Sequence, residues 1–87
     1  MVIYKYNFPG ISAKKTGQKI RELRMAAGFT VSQIAEMLDT SEVAVYKWQS
    51  GIALPSLGNM LLLSRIFETP IEEIVVENEE REWDLYK

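Results

Sequence analysis

The sequence predicts an all-α fold of five short helices in one small domain. Three observations lead there. The chain has 87 residues, which is one domain near the lower limit for burying a useful core. From about Lys14 onward, apolar residues recur at i, i+3, i+4 and i+7 rather than alternately, the spacing of a helix face. Each periodic stretch is also bracketed by a capping residue or by a Gly or Pro stop. Hydrophobic residues make up 47% and charged residues 25% of the chain, a balance that lets such helices share a core.

Residues 1–12 form an N-terminal arm in which Ile3, Tyr4, Tyr6 and Phe8 precede Pro9-Gly10. That pattern fits either a flexible arm or a short strand ended by a turn. In the first helix Ile20, Leu23 and Ala27 share a face, and Gly28 is placed to end it. Thr30-Val31-Ser32-Gln33 has the capping-box pattern, and Val31, Ile34, Ala35 and Leu38 give the second helix its apolar face, up to about Asp39. Ser41 caps a third helix whose narrow inner side is Ala44, Val45 and Trp48 and whose stop is Gly51. After Pro55-Ser56, the residues Leu57, Met60, Leu61, Leu63 and Phe67 predict a fourth helix buried on most sides, the floor of the core. Thr69-Pro70-Ile71-Glu72 reads as another capping box with Pro in the first turn, opening a fifth helix that extends toward the acidic tail. The resulting division is an arm at 1–12, a helical body at 13–76 and a tail at 77–87.

Absent residues exclude much chemistry. With no Cys and no His there is no thiol nucleophile, thiolate zinc site or imidazole base. The five Gly stand too far apart for a phosphate-binding loop. No enzyme, metal site or cofactor is expected. The longest apolar run, Met60-Leu61-Leu62-Leu63, is far shorter than the roughly 20 residues a bilayer requires. The chain is therefore expected to be soluble and cytoplasmic, with no membrane partner. Net charge is −2 but unevenly spread: residues 1–66 carry eight basic and four acidic groups, residues 67–87 two basic and eight acidic ones. A basic body with an acidic tail suits a polyanionic partner, and a solvated acidic helix end is the plainer account of the tail.

The second and third helices and their short link carry the functional signal. Ala35 is small where another helix must cross, Asp39-Thr40 makes the turn, and Val45 and Trp48 anchor the following helix. This is the spacing of a helix-turn-helix, with Glu42, Val43, Tyr46, Lys47 and Ser50 projecting together from a rigid support. Val45 and Trp48 themselves read as core.

From Gly28-Phe29-Thr30 through Gly51, with Leu54-Pro55-Ser56 behind it, the chain resembles the phage-repressor and Cro class of helix-turn-helix proteins, the xenobiotic-response-element type of bacterial regulator. The likeness covers about Gly17 to Val76 and includes Ile20-Arg21-Glu22-Leu23-Arg24, Ile34-Ala35 and Leu38. It implies a five-helix, lambda-repressor-like domain that binds double-stranded DNA as a homodimer, with the third helix in the major groove. It places base reading at Glu42, Val43, Ala44, Tyr46 and Lys47. Phosphate contacts fall on Thr30, Val31 and Ser50, with Ser32 able to supply one beside Val31. Where many members carry Gln, Val31 stands; Asp39 replaces a frequent turn Gly, and Gln49 replaces a Glu that pairs with the residue here Arg24. Family analogy favours a repressor over an activator. The rival is a protein-binding module, an antitoxin or adaptor that holds its partner through Ile3 to Phe8 or Glu77 to Tyr86. Trp83, Leu85 and Tyr86 are expected to pack on the body rather than pair subunits or stay mobile. Lys14, Lys15 and Lys19 either follow phosphates or solubilise the first helix.

Overall fold

A computed structural model describes residues 10–78. The helices are α1 (Ala13–Ala27), α2 (Val31–Met37), α3 (Glu42–Ser50), α4 (Leu57–Ile66) and α5 (Ile71–Ile74). Their starts follow the sequence signals closely. Ser12, Thr30, Ser41 and Ser56 are the N-caps of α1 to α4, and each side chain accepts a backbone N–H from the first turn. At Thr30 the capping box is complete, because Gln33 also accepts from the Thr30 N–H at 2.8 Å. Gly28 and Gly51 end α1 and α3 with φ of 82° and 81°, a left-handed conformation that costs glycine little.

Ile20, Val31, Ile34, Ala35, Leu38, Val45, Trp48, Met60, Leu63 and Ile74 form the buried core. Four of these ten come from the seven-residue α2 and its C-cap, so α2 is held by tertiary burial rather than by its own propensity. The fourth helix departs from its expected burial. Met60 and Leu63 are buried, but Leu57, Leu61 and Leu62 are 74%, 47% and 43% exposed. The rest of the core meets only one side of α4, so apolar composition overstated its burial. Ala27 is likewise exposed; it lies one residue before the Gly28 stop, past the last turn that touches the core.

The fifth helix is shorter than expected and is capped differently. Pro70 is its N-cap, without a side-chain hydrogen bond. Thr69 instead donates from its hydroxyl back to the Phe67 carbonyl at 2.9 Å. Nor does the helix run into the tail: Val75 turns extended, with φ −78° and ψ 124°. The competing partner is α1. Val76 N–H donates to Thr16 Oγ1 at 2.9 Å, Ser12 N–H donates to Val76 O at 2.7 Å, and Asn78 N–H donates to Gly10 O at 2.8 Å. An isolated antiparallel bridge joins Ile11 to Glu77. Residues on both sides of the expected boundaries at 12 and 77 therefore close the helical body with a short clasp. Its inner member Thr16 is fully buried, and its hydroxyl accepts from the partly buried Val76 N–H.

Candidate nucleic-acid interface

The link from α2 to α3 is four residues, Leu38 to Ser41, of defined geometry. Leu38 closes α2 and is buried, Asp39 adopts φ 53°, and Thr40 N–H donates to Ala35 O at 2.9 Å. Asp is among the few non-glycine residues that enter the left-handed region without large strain, so it substitutes for a turn glycine. Ser41 then accepts from the Ala44 N–H at 3.0 Å and starts α3.

α3 divides sharply into an inner and an outer side. Val45 is fully buried and Trp48 only 5% exposed, while Val43 and Tyr46 are 62% and 55% exposed. Glu42 and Lys47 are exposed as well, and Ala44 is half-buried against the core margin. Glu42 sits in the first turn of α3 and Lys47 in the last, each with the sign the helix dipole favours. The outer side thus offers one acceptor, one donor, an aliphatic group and an aromatic ring carrying a hydroxyl.

The expected phosphate contacts sit differently. Thr30 and Ser32 are exposed at the start of α2, but Val31 is buried in the core. Its side chain is therefore withdrawn from the surface, and its backbone N–H is its polar group at that helix start. Ser50 is exposed at the end of α3, where its hydroxyl donates to Lys47 O at 3.2 Å.

α1 supports this pair of helices. Arg24 donates from Nε to Gln49 Oε1 at 2.8 Å and from Nη1 to Phe29 O at 2.7 Å, so one guanidinium ties α3 to the link before α2. The Arg24–Gln49 contact is thus a hydrogen bond, as the Gln49 substitution implied. Gly17 escaped the sequence reading. A Cβ there would overlap the Trp48 carbonyl oxygen and stand 2.8 Å from Gln49 O, so the backbones of α1 and α3 touch. Gly51, after α3, faces the Lys14 backbone, with Lys14 Cα 2.7 Å from where its Cβ would lie. The one available signal was a glycine inside an amphipathic helix, three residues before Ile20 on the same face.

A buried helix pair with a tight turn, presenting the second helix outward, defines a helix-turn-helix domain of phage-repressor type. The helix-turn-helix family model matches residues 20–74, and the chain belongs to that family, of the Cro/C1 type. Among curated relatives, the HTH-type transcriptional activator BcrR of Enterococcus faecalis is 33% identical over 58 residues, which is 67% of this chain and 28% of that protein. A putative HTH-type transcriptional regulatory protein of Pyrococcus furiosus is 31% identical over 62 residues, 71% of this chain and 20% of that protein. This chain therefore spans between a fifth and about a quarter of their length. Among solved structures, the restriction-modification controller protein C.AhdI of Aeromonas hydrophila superposes with a TM-score of 0.65 at 29% identity, covering 71% of this chain and 94% of that one. The P22 c2 repressor, solved in complex with a synthetic operator, gives 0.66 at 23% identity, covering 70% and 92%.

Proposed function

We propose that this domain is a sequence-specific, non-enzymatic regulator of transcription that binds operator DNA as a homodimer, in the cytoplasm and without a cofactor, and acts as a repressor. One observation carries the reading. The outer side of α3 exposes Glu42, Val43, Tyr46 and Lys47 together, while Val45 and Trp48 fix the same helix in the core. A major groove admits such a helix, and its base edges offer partners for an acceptor, a donor and apolar groups. The operator-bound P22 c2 repressor and the regulatory relatives support DNA binding and regulation; the repressor role rests on family analogy, BcrR being named an activator.

Lys47 donates to a guanine edge or a phosphate. Glu42 accepts from a cytosine amino group, and Val43 and Tyr46 make apolar contacts, with Ala44 at the margin of the face. Thr30, Ser32, Ser50 and the backbone N–H of Val31 serve as phosphate contacts that set the docking angle. In a dimer the two α3 helices stand about 34–36 Å apart, one turn of DNA.

The test is selection of bound duplexes from a random pool, followed by Lys47→Ala and Glu42→Ala on every substitution of the half-site. Lys47→Ala should weaken operator binding by about 1–3 kcal/mol if it reads a base. Glu42→Ala should relax preference at one base pair and leave or improve non-operator binding, because a carboxylate near phosphates has gone. If neither variant alters any DNA binding, the adaptor reading of the same fold replaces this one.

A further inference from the structure

We propose that the clasp between residues 10–12 and 76–78 positions α3, so that operator binding is strong when the clasp is closed and weaker when it opens, with the core folded in both states. The inference rests on the DNA reading above and places a control of it outside the α2–α3 pair. Val76 N–H donates to Thr16 Oγ1 at 2.9 Å, while Ser12 donates its N–H to Val76 O at 2.7 Å and accepts the Thr16 N–H on its own carbonyl at 2.9 Å. The clasp thereby grips both the side chain and the main chain of Thr16. The next residue is Gly17, where the backbone of α1 touches the Trp48 and Gln49 carbonyls, and the Lys14 backbone lies against Gly51. The start of α1 is thus wedged between the clasp and the last turn of α3, the turn that carries Lys47 and Ser50. Both contacts with α3 are main chain on main chain, so no change of rotamer absorbs a shift of α1, and α3 moves with it. Arg24, further along α1, holds Gln49 through a long side chain that can follow such a shift.

The clasp is also built to open without the rest. Its bridge is one non-hydrogen-bonded pair, Ile11 with Glu77, flanked by the Ser12–Val76 and Asn78–Gly10 bonds, and so short a two-stranded pairing is marginal in water. Ile11, Glu77 and Asn78 are exposed, and none of residues 10–12 or 76–78 contributes to the hydrophobic core. Few buried contacts and exposed backbone bonds mark a segment that opens at a lower free energy than global unfolding. Closed and open clasp then form a two-state element whose equilibrium the α3 face shares. Such coupling is reciprocal: operator DNA must favour the closed clasp by the factor with which closing favours DNA.

The chain has no Cys, so a disulfide introduced by Ile11→Cys with Glu77→Cys is the only one present. A non-hydrogen-bonded pair sets its Cα atoms about 4.5 Å apart, within the span of about 4.4–6.8 Å that a disulfide bridges. The experiment compares this pair of substitutions, oxidised and reduced, in the full chain with Thr16 and with Thr16→Val, at a temperature where circular dichroism shows every form folded. Reduced Thr16→Val protein should bind the selected operator at least about fivefold more weakly than wild type, and oxidation should restore the affinity. Asn78→Pro, which removes the bond to Gly10 O at an exposed position, should act in the same direction and serves if Thr16→Val does not fold. Operator DNA should slow the local, denaturant-independent hydrogen exchange of the Val76 amide, and oxidation should slow exchange at Gln49 to Gly51. A clasp shown by faster Val76 exchange to be open, with operator affinity unchanged, overturns the proposal, and so does a disulfide that fails to restore affinity. Wild type that binds no DNA counts against the DNA reading alone; exchange at Gln49 to Gly51 then decides, and its indifference to oxidation overturns the positioning of α3 by the clasp.

Discussion

Replacing Gly17 with Ala tests whether the approach of α1 to α3 sets the position of the outward helix. The added methyl would overlap Trp48 O and stand 2.8 Å from Gln49 O. Both neighbours are backbone atoms in the last turns of α3, so no side-chain rotation relieves the overlap. The helices must separate by roughly 1 Å or more to restore ordinary contact, loosening the packing between them. Overpacking of this kind costs about 1–3 kcal/mol, and here the upper end applies because the obstacle is main chain. Against it, Ala gains about 1 kcal/mol of helix propensity over Gly. The net expectation is a loss of about 2 kcal/mol, or a melting temperature lower by roughly 8–16 °C at 4–8 °C per kcal/mol for a domain this size. Thermal and urea unfolding followed by circular dichroism measure it, with Gly58→Ala as the control in open space, expected to be neutral or slightly stabilising. Operator affinity of Gly17→Ala, measured where the protein is still folded, should fall as well, because α3 is displaced on its support. A Gly17→Ala protein as stable as wild type, to within about 0.5 kcal/mol, would refute the backbone contact.

Four further substitutions or truncations probe other parts of the fold. Thr16→Val keeps the shape but leaves the Val76 N–H without its acceptor, so unfolding should cost about 1–3 kcal/mol less, and hydrogen exchange at Val76 should quicken. Gln49→Glu turns the 2.8 Å contact with Arg24 into a charge-assisted pair and should stabilise by roughly 0.5–1 kcal/mol, with the gain shrinking in high salt; Arg24→Ala should cost about 1–2 kcal/mol. Removing residues 79–87 deletes four acids and two bases, taking the net charge from −2 to zero, while sparing Glu77 and Asn78 of the clasp. Non-specific DNA binding should then strengthen at low salt and converge on wild type as salt rises; equal binding at all salt concentrations would place the tail's charge away from the DNA.

What the sequence made legible was the set of features fixed by local chemistry. Capping by Thr30 and Ser41, the glycine stops at 28 and 51, and the burial of Ile34, Val45 and Trp48 each depend on a few neighbouring residues, and all appear in the structure. Features that failed or were missed depend on what stands opposite. Leu61 and Leu63 are the same residue two places apart, and only the arrival of the other helices decides that one is buried and the other exposed. Thr69-Pro70-Ile71-Glu72 has a capping-box pattern, but the Thr69 hydroxyl reached the Phe67 carbonyl instead. Thr16 gave no signal, since its partner lies sixty residues away. The described residues of the expected arm and tail, 10–12 and 77–78, join the clasp, whereas Ile3 to Phe8 and Trp83 to Tyr86 lie outside the described residues.

The same distinction bears on the outer surface. An exposed apolar side chain is unremarkable singly, and Met25 or Met37 needs no further account. On α3 the exposed Val43 and Tyr46 are interleaved with Glu42 and Lys47, giving the mixed polarity that base edges can discriminate. On α4 Leu57, Leu61 and Leu62 surround a glycine and bring only Arg65 with them, too little polarity to read a groove and too much apolar surface to leave in water at no cost. The mixed polarity of α3 is what supports the proposed reading of α3 as the face that meets nucleic acid. Lys47→Leu, at an exposed position, should therefore weaken operator binding while leaving the melting temperature close to that of wild type, and unchanged operator binding would remove Lys47 from the proposed interface.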